Sequence, residues 1–143
     1  MTTTIVARWQ DWMGEGCERL VLKEGPDGGI LAESVLEGKA YSASYRIICD
    51  GSWRTRKVEV RLAAGGKRVE LGSDGNGNWT DDILGAHLPH LAVTADLQRY
   101  TCLEPGRLYR YESINNDNSS FVRDIEVDEH GLVVTYPGLF KRM

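Results

Sequence analysis

Residues 41–62 read YSASYRIICDGSWRTRKVEVRL, and this stretch decides the fold class. In its first half, every second position from Tyr41 to Ile47 is apolar or aromatic, and in the second half the same holds from Val58 to Leu62. A period of two is typical of strands that bury one face. A short polar segment with Gly51 separates the two halves. The stretch therefore predicts two antiparallel strands joined by a turn.

The same pattern recurs outward along the chain. Candidate strands cover residues 5–13, 18–23, 29–36, 41–49, 53–63, 68–72, 98–103, 107–113, 121–127 and 132–136. Turns at 25–29, 74–77 and 128–131 carry Gly, which supplies positive φ. Because the connections are short, we predict a mainly β protein with little helix. Its antiparallel meander should be strongly curved and form a half-barrel or incomplete barrel.

Residues 80–95 do not follow this pattern, because neither a period of two nor one of 3.6 is clear. We predict a loop with one helical turn over 80–84, for which Thr80 would be the N-cap. His87 and His90 are three apart in this loop, and Asp81, Asp82 or Cys102 are conceivable further metal ligands. Pro89 disrupts a helix that would align the two histidines, so we predict no metal site.

Composition limits the class of protein. The chain has 143 residues, 41% of them hydrophobic, and a net charge of −4, which predicts one folded domain over 1–143. The acidic excess disfavours non-specific nucleic-acid binding, which depends on Lys and Arg. No apolar run approaches the roughly 20 residues of a membrane helix or the 7–15 of a signal peptide, so we expect a cytoplasmic location.

Three cysteines cannot all pair within one chain. Cys17, Cys49 and Cys102 match neither a zinc site nor a disulfide scaffold, and Cys49 alternates with apolar residues. We predict that the three thiols are reduced and mostly buried. A strand over 53–63 would also place Arg54 and Arg56 on its otherwise apolar face. Since an unpaired buried Arg is too costly, this pair should lie at a cavity mouth, meet carboxylates such as Asp50, Glu59 or Asp128, or bind a polar head group.

Tyrosines recur on one face of a predicted strand, with Tyr41 and Tyr45 four residues apart and Tyr109 and Tyr111 two residues apart. Together with the arginines they suggest an apolar floor with a polar rim, which suits an amphiphilic ligand. The alternative is an ordinary core completed by the tyrosines. No GxSxG, HExxH, GxGxxG or phosphate-loop motif is present, so we predict neither catalytic residues nor a cofactor.

Several motifs in order resemble the bacterial family described as putative glycolipid-binding proteins. The motifs are YRIICD at 45–50 with WRTR at 53–56, GNGNW at 75–79, QRYT at 98–101, YRYE at 109–112, VD at 127–128 with GLV at 131–133, and YPGLF at 136–140 with Arg142. The resemblance implies a curved sheet similar to the half-barrels of lipoprotein carriers, and glycolipid as the ligand. In one respect the chain differs from family members, which have a long central stretch where only residues 80–97 are found here.

These observations lead to one main prediction, a non-catalytic binder of a glycolipid or other amphiphile. We expect no nucleic-acid partner and no transmembrane segment, and a homodimer is one expectation. Two alternatives stay open: a hydrolase-type enzyme acting on a small amphiphile, and an interaction module that uses an exposed sheet edge. The predicted ligand-binding residues are Tyr41, Tyr45, Trp53, Arg54, Arg56, Arg99, Tyr100, Tyr109, Tyr111 and Tyr136.

Overall fold

The computed structural model describes residues 3–39, 41–63, 66–84, 97–114 and 121–143, and these ranges contain twelve strands and no α-helix. The strands are β1 (Thr3–Asp11), β2 (Cys17–Glu24), β3 (Ile30–Glu37), β4 (Ser42–Cys49), β5 (Thr55–Leu62), β6 (Arg68–Ser73), β7 (Trp79–Leu84), β8 (Gln98–Glu104), β9 (Leu108–Ser113), β10 (Val122–Val127), β11 (Val133–Tyr136) and β12 (Phe140–Arg142).

The strands form one sheet in the order β7-β6-β5-β4-β3-β2-β1-β12-β11-β10-β9-β8. Every neighbour is also the next strand in sequence, except where β1 pairs with β12. Over the described ranges, β7 and β8 stand at the two ends of this order, so the sheet is open. The prediction of a mainly β, antiparallel meander that does not close is confirmed.

The chain divides into two compact units. Unit 1 comprises Met1–Arg8 with Gly16–Val93, and unit 2 comprises Trp9–Glu15 with Thr94–Met143. Nothing in this division tests the single domain predicted for residues 1–143, which stays a prediction.

Unit 1 has one apolar and one charged face. A cross-strand row of Leu20, Ser34, Tyr45, Val60 and Val69 runs over β2 to β6, and its apolar ends are buried. The row beside it presents the opposite face and is mainly charged; it consists of Val21, Glu33, Arg46, Glu59 and Glu70. Strand alternation thus places the mainly apolar residues on one face of the sheet and the mainly charged residues on the other.

Unit 2 is organised around a buried tryptophan. Trp9 is paired with Arg142 across β1 and β12, and its indole Nε1 donates a hydrogen bond of 2.7 Å to the carbonyl of Val133. Phe140 contacts the same indole edge to face at 6.4 Å between ring centroids. Burial of the ring and the satisfied N–H together stabilise this part of the sheet.

Two strands were not predicted. Residues 79–84 form β7, not a loop with a helical turn, and they pair with β6 through Gly72↔Thr80 and Glu70↔Asp82. Hydrogen bonds offered by the free edge of β6 outweigh the local preference for an N-cap at Thr80. The second missed strand, β12, has only three residues and depends on pairing with β1 and β11. His87 and His90 lie outside the described residues.

The predicted turns are confirmed. Asp74 Oδ1 accepts from the amide of Asn76 at 2.7 Å, and Asp27 Oδ1 accepts from Gly29 at 2.9 Å. The cysteine prediction is only partly correct. All three thiols are free, but Cys17 and Cys102 are exposed and Cys49 is half-buried. Cys17 begins β2 and Cys102 lies in the end strand β8, where burial is low.

Candidate functional site

Aromatic side chains cluster on one face of unit 2. Tyr100 and Tyr111 are cross-strand partners on β8 and β9, with ring centroids 5.3 Å apart. Tyr111 also contacts Tyr136 at 6.1 Å, and Tyr136 contacts Phe140 at 5.2 Å. These spacings lie in the favourable range for aromatic pairs. The register therefore turns tyrosines that are distant in sequence into one continuous aromatic surface.

This surface forms part of the wall of a cavity of about 470 Å³ within unit 2. The wall contains three tyrosines, an aliphatic floor, and polar groups from the turn after β10. Its principal residues are Tyr100, Tyr109, Tyr136, Ile125, Val127, Val133, Asp128 and Glu129. Volume and mixed lining are both typical of small-molecule sites.

Tyr109 is oriented by the turn that precedes its strand. The amide of Gly106 donates a hydrogen bond of 3.0 Å to Tyr109 Oη, and Gly106 has a positive φ of 73° that this turn requires. The amide of Val127 then donates to the carbonyl of Arg107 at 2.8 Å. Because Tyr109 Oη accepts from the backbone, its own proton is available to a ligand.

Asp128 organises the opposite side of the cavity. Its Oδ1 accepts from the amides of His130 at 2.9 Å and Leu132 at 3.0 Å, while Oδ2 accepts from Arg142 Nη2 at 2.9 Å. Burial by itself raises the pKa of this carboxyl, but these hydrogen bonds outweigh it and hold the pKa below its usual range. Asp128 is consequently a carboxylate at neutral pH.

Two of the phenols in the cluster are harder to ionise than free tyrosine. Burial raises the pKa of Tyr136, and the nearby phenols of Tyr111 and Tyr100 add to the effect. Burial, with Tyr111, also raises the pKa of Tyr100. Both hydroxyls therefore remain protonated at neutral pH and can donate hydrogen bonds.

In unit 1, Arg54 and Arg56 meet a carboxylate, which was one of the predicted outcomes. Asp50 Oδ2 lies 2.9 Å from Arg54 Nε and 3.8 Å from Arg56 Nη1. Burial acts to raise the pKa of Asp50, but hydrogen bonds from the amides of Arg54 and Ser52 and the Arg54 charge lower it. Arg56 Nε also donates to the carbonyl of Ser73 at 2.9 Å. These arginines join the β4–β5 turn to the end of β6.

A polar cluster of Glu18, Ser34 and Tyr45 lies on the apolar face of unit 1. Ser34 Oγ donates to Glu18 Oε2 at 2.6 Å, and Tyr45 Oη donates to the same oxygen. Ser34 is only 3% exposed. Burial first, and then the Glu18 carboxylate, raise the pKa of Tyr45. This cluster explains why a phenol and a hydroxyl are tolerated among aliphatic residues.

The predicted site residues fall into separate groups. Tyr100, Tyr109 and Tyr136 line the cavity of unit 2, and Tyr111 contacts two of its aromatic rings. Arg99 pairs with Glu112, and alternation places it on the opposite face from Tyr100. The other predicted residues, Tyr41, Tyr45, Trp53, Arg54 and Arg56, belong to unit 1.

Asp128, which lines the cavity, and several residues around its lining were not predicted. Asp128, Arg142 and Phe140 were quoted as parts of motifs but not assigned to it. Arg123 was missed as well; its guanidinium lies 4.3 Å from the centroid of the Phe121 ring. The available signal was the YPGLF segment with Arg142, which ends in an aromatic and a cation two residues apart on one strand face.

Within the ranges that the structure describes, no cluster of three or more His, Cys, Asp or Glu residues could hold a metal ion. In the same ranges, no helix is long and apolar enough to cross a membrane.

The chain is an antiparallel β protein with a cavity in unit 2 that is lined in part by tyrosines. The family profile described as "Putative glycolipid-binding" matches residues 6–88 and 82–142, and the chain belongs to this family. The two matched segments overlap at residues 82–88.

A crystal structure of a DUF1089 family protein from Pseudomonas aeruginosa has a similar fold. It superposes with a TM-score of 0.61 at 24% identity, over 90% of this chain and 92% of that chain. No curated protein matches the sequence.

Proposed function

We propose that this protein binds a glycolipid without transforming it, and that the aromatic cavity of unit 2 receives the sugar head group. The observation that carries the proposal is the cavity wall, in which phenol rings, an aliphatic floor and a carboxylate converge around about 470 Å³. Sugars present apolar C–H faces and hydroxyl groups, so they suit a wall that offers both flat rings and hydrogen-bonding groups.

Each part of the wall has a role in this proposal. The rings of Tyr100 and Tyr136 stack on the sugar, Tyr109 Oη donates to a sugar oxygen, and Asp128 accepts from a sugar hydroxyl. Ile125, Val127 and Val133 contact the apolar part of the ligand next to the head group. Support for glycolipid as the ligand class comes from the family to which the chain belongs. The cytoplasmic location and the homodimer stay predictions.

The test measures binding of glycolipids and of soluble glycosides by native mass spectrometry and by thermal shift. A ligand at about 100 times its Kd should stabilise the fold by about 2.7 kcal/mol. Tyr136→Ala removes one wall of the cavity and should weaken binding at least about tenfold, since an aromatic contact and its burial are lost together.

Trp12→Ala is the matched control, because it removes an exposed aromatic ring that does not line this cavity. It should bind as the unaltered protein does. Turnover of the glycolipid would contradict the non-catalytic part of the proposal. Equal affinity of the Tyr136 and Trp12 variants would contradict the assignment of the site.

A further inference from the structure

Trp53 has an unusual backbone conformation. Its φ is +63°, and over the described residues it is the one non-glycine residue with positive φ. A bulky side chain in this left-handed region is strained, because Cβ approaches the following carbonyl oxygen. Despite the strain, the side chain is not buried in return, and the residue is 58% exposed. An outlier of this kind points to a role for the exposed indole.

Hydrogen bonds and a close approach of two turns hold the loop around Trp53. The amide of Trp53 donates to the carbonyl of Asp50 at 2.9 Å, and Asp50 Oδ1 accepts from Ser52 and Arg54 on either side. Gly51 packs against the β2–β3 turn, where a Cβ built on it would lie 3.6 Å from the carbonyl oxygen of Asp27. The turn therefore keeps the indole of Trp53 exposed to solvent and not packed on the sheet.

A row of cations and aliphatic residues lies beside this loop. Register places Lys23, Leu31, Ile48 and Lys57 next to one another across β2 to β5, on the charged face of unit 1. Lys57 Nζ is 3.9 Å from Glu70, whereas no ion pair of Lys23 is found in the part of the chain that the structure describes. A cavity of about 800 Å³ connects the row to the loop, since Lys23, Ile48 and Asp50 all line it.

We propose that this edge of unit 1 docks on the surface of a phospholipid bilayer. The Trp53 edge is defined by Lys23, Ile48, Trp53, Arg54 and Lys57. Indole combines a large apolar area with one N–H donor and favours the interface between head groups and acyl chains. Lysine and arginine stems cover apolar surface while their charges contact anionic head groups. The proposal rests on the proposed function, because a glycolipid ligand is held in a membrane.

Nucleic acid fits this edge less well. Glu24, Asp27 and Asp50 line the same cavity as Lys23, and these carboxylates repel a continuous phosphate backbone. Among the described residues that define this edge, Trp53 is the one aromatic side chain, whereas proteins that bind single strands stack successive bases on several. On a bilayer, by contrast, the lysines can select anionic lipids from a mixed surface.

The experiment is sedimentation with vesicles of phosphatidylcholine, alone or mixed with phosphatidylglycerol. We expect binding to both, and tighter binding to the anionic mixture. Trp53→Asn should weaken partitioning about tenfold, as expected for the loss of one large buried side chain. The variant should fold, because Asn is well tolerated at positive φ. Lys23→Gln should reduce the preference for anionic vesicles about fivefold.

Trp12→Gln is the matched control, since Trp12 is an exposed indole of unit 2, and it should bind vesicles as the unaltered protein does. Quenching of indole fluorescence by brominated lipid should persist in this control and disappear in Trp53→Asn. Unaltered protein that fails to sediment with either vesicle, or a Trp53 variant that sediments equally well, overturns the proposal. Displacement of the vesicles by a thymidine oligonucleotide overturns it as well.

The same variant separates this inference from the proposed function. Binding of a soluble short-chain glycoside, measured without vesicles, should be unchanged in Trp53→Asn. If vesicle docking is absent while the glycoside binds, only the docking proposal fails. If docking is present while no glycolipid or glycoside binds, the proposed function fails.

Discussion

Arg142 donates from Nη2 to Asp128 Oδ2 over 2.9 Å and to the carbonyl of Val133 over 2.8 Å. Its guanidinium also lies 5.2 Å from the centroid of the Trp9 ring. A single side chain thus connects the β10–β11 turn, strand β11 and the buried tryptophan of unit 2. The ion pair contributes to stability and also fixes one wall of the candidate site.

We expect Asp128→Ala to reduce the free energy of unfolding by about 2–3 kcal/mol, because the ion pair and two hydrogen bonds to turn amides are lost together. Asp128→Asn keeps an acceptor for the turn and should cost about 1 kcal/mol. Urea denaturation measures both values. Glu129→Gln is the control, since the Glu129 side chain is 85% exposed. If Glu129→Gln reduced the free energy of unfolding as much as Asp128→Ala does, the stabilising role assigned to Asp128 would be contradicted.

The same carboxyl makes stability depend on pH on the acid side. Its pKa is lowered in the folded state, so its contribution is complete above the ordinary Asp pKa of about 4 and is lost as pH falls through the folded value. We expect the stability of Asp128→Asn to fall less steeply between about pH 5 and pH 2. Thermal unfolding over this pH range provides the measurement. If stability fell with pH equally steeply in the unaltered protein and in Asp128→Asn, the prediction would be refuted.

Tyr45 should be among the last tyrosines to ionise. Burial and the Glu18 carboxylate raise its pKa, so the stability of the Tyr45 hydrogen bond is complete below about pH 10 and is lost as pH rises towards the folded value. Near-ultraviolet titration should show a late phenolate that disappears in Tyr45→Phe. Glu18→Gln should bring that ionisation to lower pH; an unchanged titration in both variants would argue against the cluster.

Trp53 should limit stability. Trp53→Gly removes the strain of positive φ, although the unfolded chain gains entropy from Gly, and the net gain should be about 0.5–1 kcal/mol. Chemical denaturation is the measurement. Trp79→Gly tests the effect of losing an exposed tryptophan from a strand without positive φ, and it should be destabilising. Destabilisation by both substitutions would mean that the conformation at Trp53 is not strained.

The thiols should differ in reactivity. Cys17 and Cys102 are exposed, whereas Cys49 is half-buried with Sγ 3.8 Å from Thr55 Oγ1. We expect two thiols to react rapidly with a disulfide reagent and the third to react slowly, because access controls such exchange. Mass spectrometry of the labelled peptides identifies them. Rapid labelling of Cys49 would show that the end of β4 opens readily.

Most of the strands could be predicted, because each buries one face and therefore shows apolar and polar residues alternating along the sequence. The failures have a common origin. Residues 79–84 show weak local preference and become a strand only because β6 provides an edge, and β12 is too short for any period to be recognised. Strands of this kind depend on partners that a local pattern does not contain.

The site was predicted less completely. Tyr100, Tyr109 and Tyr136 were named in advance and line one cavity, but Asp128 and Arg142 were not assigned to it. Arg99 was assigned to the ligand, yet the register places it on the opposite face from Tyr100. One residue of offset along a strand reverses the face on which a side chain stands, and periodicity alone does not say which face carries the cavity.

By itself, the order of residues determined the antiparallel meander, the turns at 25–29, 74–77 and 128–131, and the family. These properties depend on neighbouring residues, through alternation and through the few side chains that suit positive φ. Tertiary structure alone decided that Asp128 meets Arg142, that Glu18 meets Tyr45, and that the indole of Trp53 stays in water. Such contacts arise from strand register and turn packing over long sequence separations, which no local pattern encodes.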